Sequence, residues 1–238
     1  MGNTTLVLFP GLDGTEVFLR PLMDRLPATI SPRAFEYPEG GPYTYGALLD
    51  LVRRELAGLP QYVVLASSFS GPLAVMLATA EPRKVCGVIL AATFASPPSR
   101  PLSRLRFAIR GPMVGAARFA RRLPIWILRP VDDPLRMAKR ETWARVSSRA
   151  LAARARAALS ADVRDTLSHC AQPVLCVTYA ADGVVPPWCA DEIRRHCAHA
   201  RSIALPGGHL ALFTDPGPLV TEIARFVASD CAPAGFSR

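Results

Sequence analysis

The chain has 238 residues, half of them hydrophobic and a fifth charged, with a formal net charge of +9. That composition excludes a disordered or collagen-like chain and suffices for one sizeable core, so residues 1–238 are expected to form a single domain. No apolar run reaches the ~18–20 residues that span a bilayer. Met1–Thr5 carries no basic region ahead of the short run Leu6–Phe9, so neither a transmembrane segment nor a secretory signal is expected, and a cytoplasmic location is.

Thr4–Phe9 is a short apolar run closed by Pro10-Gly11 and reads as a buried strand. Val17–Leu26 spaces its apolar groups helically, and Arg33–Tyr37 reads as a second strand. Tyr45–Leu59 sets Leu48, Leu49, Val52 and Leu56 on one side and Arg53, Arg54 and Glu55 elsewhere, the pattern of an amphipathic helix. Tyr62–Ala66 is a third strand that runs into Ser67-Ser68-Phe69-Ser70-Gly71. Leu73–Ala80 follows as an apolar helix stopped by Pro82, and Val85–Ala92 is a fourth strand. Residues 95–171 form a long insertion, helical in pattern, in which Pro97, Pro98, Pro101, Pro112, Pro124, Pro130 and Pro134 predict several short helices. Val174–Tyr179 and Arg201–Leu205 are strands, Leu219–Ala228 is a final helix, and the tail after Asp230 reads as a frayed end. Strands alternating with helices predict an α/β fold: a mainly parallel sheet of about six strands with helices on both faces.

The six cysteines include no C-x-x-C pair and no metal spacing. They read as free thiols, several packed as small apolar residues, with no electropositive partner to make one a nucleophile. Neither a metal nor an organic cofactor is expected.

The residues that carry chemistry follow the strands. A serine hydroxyl becomes a nucleophile when a histidine takes its proton, and a strand-to-helix turn that exposes it needs small residues two before and two after. Centring that turn on Ser68 gives Ala66 and Ser70 as the flanks, with Gly71 opening the helix. Ser67 would put Leu65 at a small position, and Ser70 would put Pro72 there. Ala66 and Ser70 replace both glycines of G-x-S-x-G, and a serine cluster at a strand end also serves as a helix N-cap. After the first strand, Phe9-Pro10-Gly11-Leu12-Asp13-Gly14-Thr15 offers backbone N–H groups: Leu12 would supply one to an oxyanion and Phe69 the other. Asp13 reads as a turn residue, and without G-x-G-x-x-G or a lysine the loop is not a phosphate cradle. Asp182 follows the fifth strand on an Asp-Gly turn. His209 follows the sixth on a Gly-Gly loop, whereas His169, His196 and His199 sit where a solvated face explains them. Parallel strands put their C-terminal ends on one edge, so Ser68, Asp182 and His209 can converge there as nucleophile, acid and base.

In these segments the chain resembles the α/β-hydrolase superfamily. Leu8-Phe9-Pro10-Gly11-Leu12-Asp13-Gly14-Thr15 and Ser68-Phe69-Ser70-Gly71-Pro72-Leu73-Ala74 are similar to a bacterial branch of small hydrolases, many of which have Gly and Glu where this chain has Ala66 and Ser67. The resemblance implies Ser68, Asp182 and His209 as a catalytic triad and Leu12 and Phe69 as oxyanion donors. It makes residues 95–171 the counterpart of the superfamily's helical cap. It also implies hydrolysis of a carboxylic ester or thioester through an acyl-serine, while lyase or haloperoxidase activity on the same triad stays open. A non-catalytic binding protein on this fold is the remaining alternative.

Charge is concentrated in the insertion. Arg100–Arg156 holds fifteen basic residues and three acids (Asp132, Asp133 and Glu141), and the rest of the chain is slightly acidic. Arginines alternate with apolar groups in Leu105–Arg110, Arg118–Arg122 and Ile125–Arg129. This reads either as a solvated outer face or as a landing surface for an acidic partner: an acyl-carrier protein, coenzyme A or an anionic membrane. Pimeloyl-carrier-protein methyl esterases, α/β-hydrolases with arginines on a helical cap, are the family precedent for the first of these. Nucleic acid is not expected, because no binding motif accompanies the charge.

Overall fold

The computed structural model describes residues 3–128, 130 and 132–231. Six strands form one parallel sheet: β1 Thr4–Phe9, β2 Ile30–Ala34, β3 Tyr62–Ser67, β4 Val85–Ala91, β5 Val174–Tyr179 and β6 Arg201–Leu205, in the order β2-β1-β3-β4-β5-β6. The connecting helices are α1 Arg20–Met23, α2 Tyr45–Glu55, α3 Gly71–Ala80, α4 Arg100–Arg104, α5 Gly111–Leu128, α6 Pro134–Arg145, α7 Ser148–Ala158, α8 Arg164–Ser168, α9 Trp188–His196, α10 Ala211–Thr214 and α11 Gly217–Ser229.

The central strands are buried on both faces, which is why they read as unbroken apolar runs. Val7, Phe9, Val64, Ala66, Val88 and Leu90 pack on one side, with side chains of α2, α3 and α9. Leu6, Leu8, Val63, Leu65, Ile89 and Val177 pack on the other, with Leu22 of α1 and Leu219, Ile223 and Phe226 of α11. Chain order reverses between β1 and β3, where Phe9 lies beside Ala66. At such a switch point the loops leave toward opposite faces and open a crevice at the carboxyl edge.

Three elements differ from their sequence pattern. β2 begins at Ile30 rather than Arg33. It is an edge strand, which tolerates the missing N–H of Pro32, and Phe35 and Tyr37 lie beyond it, donating their N–H groups to Leu8 O and Gly14 O. α1 covers four residues of the expected ten, with Pro21 in its first turn and hydrogen-bonded turns from Glu16 leading into it. In the insertion, Pro101, Pro112 and Pro134 stand in the first turns of α4, α5 and α6, where a missing N–H costs nothing, so they start helices. Among the described residues the insertion divides into the five helices α4 to α8, as its prolines predict, but Pro124 lies inside the 18-residue α5 and does not end it. Arg129 and residues 232–238 of the tail lie outside the described residues, as do the side chains of Arg121, Arg122 and Trp126. Among the described residues no helix is long and apolar enough to cross a membrane.

Candidate active site

β3 ends at Ser67 and α3 begins at Gly71, leaving one 3-10 turn, Ser68–Ser70, to reverse the chain. Ser68 sits at its apex with φ 51°. Non-glycine residues pay roughly 1–2 kcal/mol for that left-handed conformation. Neither Ser67 nor Ser70 caps a helix with its side chain, so capping does not account for the serine cluster.

The turn is pinned from several sides. Thr93 Oγ1 donates to Ser68 O, and Tyr45 Oη donates to Phe69 O at 2.7 Å while its ring stacks on Phe69. Ser70 Oγ donates to Pro10 O and accepts from Tyr37 Oη at 2.5 Å, joining the turn to the loop after β1. The hydroxyl that replaces the second motif glycine is thus a fully buried strut. Gly71 has a steric reason as well: a Cβ there would fall 2.1 Å from Thr93 Oγ1. Gly71→Ala is expected to displace Thr93, release the Ser68 carbonyl and cost about 1–3 kcal/mol. A lowered urea midpoint checks this, and adding Thr93→Ala should recover part of it.

His209, on the loop between β6 and α10, reaches both partners. Its Nε2 lies 3.0 Å from Ser68 Oγ, and its Nδ1 lies 2.9 and 3.1 Å from the two carboxylate oxygens of Asp182. An ionised carboxylate only accepts, so Nδ1 carries the proton and the Nε2 lone pair faces the serine hydroxyl. Asp182 Oδ1 also accepts the N–H groups of Val184 (2.7 Å) and Val185 (3.0 Å), which fixes the carboxylate after β5. The three residues predicted from strand order therefore meet in one hydrogen-bonded series. The other three histidines bond elsewhere: His169 and His196 to carbonyls one turn back in their own segments, and His199 to Gln172 O.

The loop after β1 faces this series. The Leu12 N–H donates to no group among the described residues, and Leu12 and Phe69 line the same cavity as Ser68 and His209. Asp13 is the turn residue expected of it, its carboxylate accepting Thr15 N (2.9 Å) and Thr15 Oγ1 (2.5 Å), and burial pushes its carboxyl above the usual range. Sequence reasoning missed Arg154. This α7 side chain is 1% exposed and its guanidinium donates to the carbonyls of Asp13 (2.5 Å), Tyr37 and Pro38 (3.3 Å each), and more distantly of Leu12 (3.4 Å). Gly14, at φ 76°, leaves the room it needs, since a Cβ there would lie 2.5 Å from the guanidinium. The readable signal was its place between Ala150 and Ala158, four residues from each on the buried face of an alanine-rich helix.

The cavity over Ser68 holds about 480 Å³. Phe18 and Leu212 line it from the sheet side, and Leu102, Ile109, Ala155 and Leu159 from the insertion. Among the described residues, Asp13 and His209 are the ionisable side chains that line it, with no lysine or arginine beside them. The cysteines do not compete as nucleophiles: all are free, and burial pushes every thiol up, Cys176 and Cys197 to about 11 and Cys189 to about 12. Among the described residues no group of three His, Cys, Asp or Glu side chains is placed to hold a metal ion.

The model of the Alpha/beta hydrolase family matches residues 6–222. No curated protein matches the chain. Among solved structures, the enol-lactonase from Burkholderia xenovorans LB400 superposes with a TM-score of 0.79 at 19% identity, covering 96% of this chain and 93% of that one. A thermophilic esterase from Thermogutta terrifontis gives 0.78 at 18% identity, covering 98% and 92%. MenH from S. aureus gives 0.80 at 14% identity, covering 97% and 95%. At these identities the likeness is one of fold.

Proposed function

Because the chain belongs to the alpha/beta hydrolase family, and at that level is a hydrolase, we propose that it is a serine hydrolase of carboxylic esters or thioesters, with Ser68, His209 and Asp182 as its triad. The observation that carries this reading is the unbroken series Ser68 Oγ–His209–Asp182, with the serine held on a left-handed turn. Residues 1–238 act as one domain, and residues 95–171 are a helical cap whose underside closes the acyl pocket.

In this mechanism His209 Nε2 takes the hydroxyl proton as Ser68 Oγ adds to the acyl carbonyl. The Leu12 and Phe69 N–H groups receive the negative charge on the former carbonyl oxygen. Collapse of the adduct breaks the bond to the alcohol or thiol, which leaves with the proton from His209. Water repeats the sequence on the acyl-serine, releases the acid and returns the hydrogen to Ser68. Asp182 keeps the imidazole in the tautomer that accepts at Nε2 and stabilises the imidazolium between steps. A pocket this apolar and free of cations suits a neutral acyl group.

A fluorophosphonate, which captures only an activated serine, tests the reading directly. One adduct on the peptide carrying Ser68, absent in His209→Ala, is the expected result. An unlabelled wild-type protein would make this a binding protein on a hydrolase fold.

A further inference from the structure

Resting on the hydrolase reading, we propose that the outer side of α4, the 3-10 turn Arg106–Ala108 and the first half of α5 is a docking surface for an anionic lipid bilayer. The acyl pocket would then open toward esters dissolved in that bilayer. Large apolar side chains stand in solvent there: Leu105 is 63% exposed, Phe107 72% and Phe119 67%, with Leu102 and Met113 more than half exposed. Single exposed apolar residues are ordinary, but five within eighteen residues mark a binding face. α5 turns Gly111 and Gly115 toward α7, where Arg149 and Ser148 are their neighbours. The side it leaves exposed carries Pro112, Met113, Ala116, Ala117 and Phe119, with no charge among them.

Charge selects the occupant. From Arg100 to Leu128 the chain has seven arginines (Arg100, Arg104, Arg106, Arg110, Arg118, Arg121 and Arg122) and no acid. Arg100, Arg104 and Arg110 are exposed and join no ion pair among the described residues. Arg106 lies over the Phe107 ring, 4.4 Å from its centroid. A second copy of this chain does not fit, because a two-fold interface would set these arginines against themselves. Apolar side chains that enter the acyl boundary, flanked by arginines at headgroup level, are what an anionic membrane surface takes up.

The pocket points the same way. Leu102 is at once an exposed residue of this face and part of the cavity lining, which Ile109 continues inward. The face and the cavity are therefore continuous, and the cavity suits a neutral apolar acyl chain, the kind of molecule that a bilayer concentrates.

The test is co-sedimentation of the full chain with phosphatidylcholine vesicles, pure or containing phosphatidylglycerol. Anionic vesicles are expected to bind roughly tenfold or more better than neutral ones, and less as salt rises. Arg104→Gln and Arg110→Gln should each weaken that binding roughly fivefold. Leu105→Glu with Phe107→Glu should abolish it. These four side chains are exposed and lie outside the cavity lining, so both sets should hydrolyse a water-soluble p-nitrophenyl ester at the wild-type rate. Ser68→Ala should sediment like wild type, which separates docking from catalysis. Equal binding to the two vesicle types, or binding indifferent to the substitutions, overturns the proposal. So does capture of an acidic carrier protein without any vesicle binding, which would give the face to a protein partner.

Discussion

Ser68→Ala is expected to lower kcat for p-nitrophenyl ester hydrolysis roughly a millionfold, with KM and the unfolding midpoint close to wild type. Among the described residues the side chain reaches only His209 Nε2 within hydrogen-bonding distance, and its carbonyl bond to Thr93 survives the substitution. Asp182→Asn should cost about ten-thousandfold, less than the serine, because the amide can present its NH2 to Nδ1 and turn the imidazole to the wrong tautomer. Combining the two should add little to Ser68→Ala alone, since residues that act as a unit lose their effect together. Steady-state kinetics on the three variants check the order. A Ser68→Ala protein that keeps the wild-type rate would move the chemistry to another residue, with Ser67 one position away and lining the same cavity.

The parts of this site that could be read in the sequence are those that depend on strand order. β1, β5 and β6 have the bounds their apolar runs suggest, and parallel strands bring their carboxyl ends to one edge without further information. Ser68, Asp182 and His209 inherit their positions from that edge. What could not be read depends on contacts between distant segments. Nothing near Ser70 announces that its hydroxyl meets Tyr37, 33 residues away, or that Thr93 holds the Ser68 carbonyl. The insertion misleads for a related reason. Local rules end a helix at Pro124, yet α5 continues, and a helix seated along α7 can carry one missing hydrogen bond. The two flanks where G-x-S-x-G fails are informative in hindsight. Ala66 is a residue of the β3 core, and Ser70 exchanges the freedom of glycine for a bond to the Pro10 carbonyl.

Arg154→Met is expected to lower both stability and kcat, and the two effects separate a structural role from a positioning one. Methionine keeps most of the buried bulk but removes every donor, so the carbonyls of Asp13, Tyr37 and Pro38 lose their guanidinium partner inside the protein. About 3 kcal/mol of stability should go with them, read as a lower urea midpoint. The same guanidinium holds the carbonyls of Leu12 and Asp13, in the two peptides that follow the Leu12 N–H, which is the proposed oxyanion donor. A donor displaced by even an ångström stabilises the developing charge poorly, so kcat should fall about a hundredfold in protein that is still fully folded. KM should change far less, because Arg154 does not line the cavity. Arg154→Lys should regain part of the stability and little of the rate: one ammonium can reach the Asp13 carbonyl or the Tyr37–Pro38 pair, whereas the planar fork reaches both. If folded Arg154→Met keeps the wild-type kcat, the clamp serves the fold alone, and the Leu12 N–H is aligned by Gly11, Asp13 and the Ser70–Pro10 bond without it.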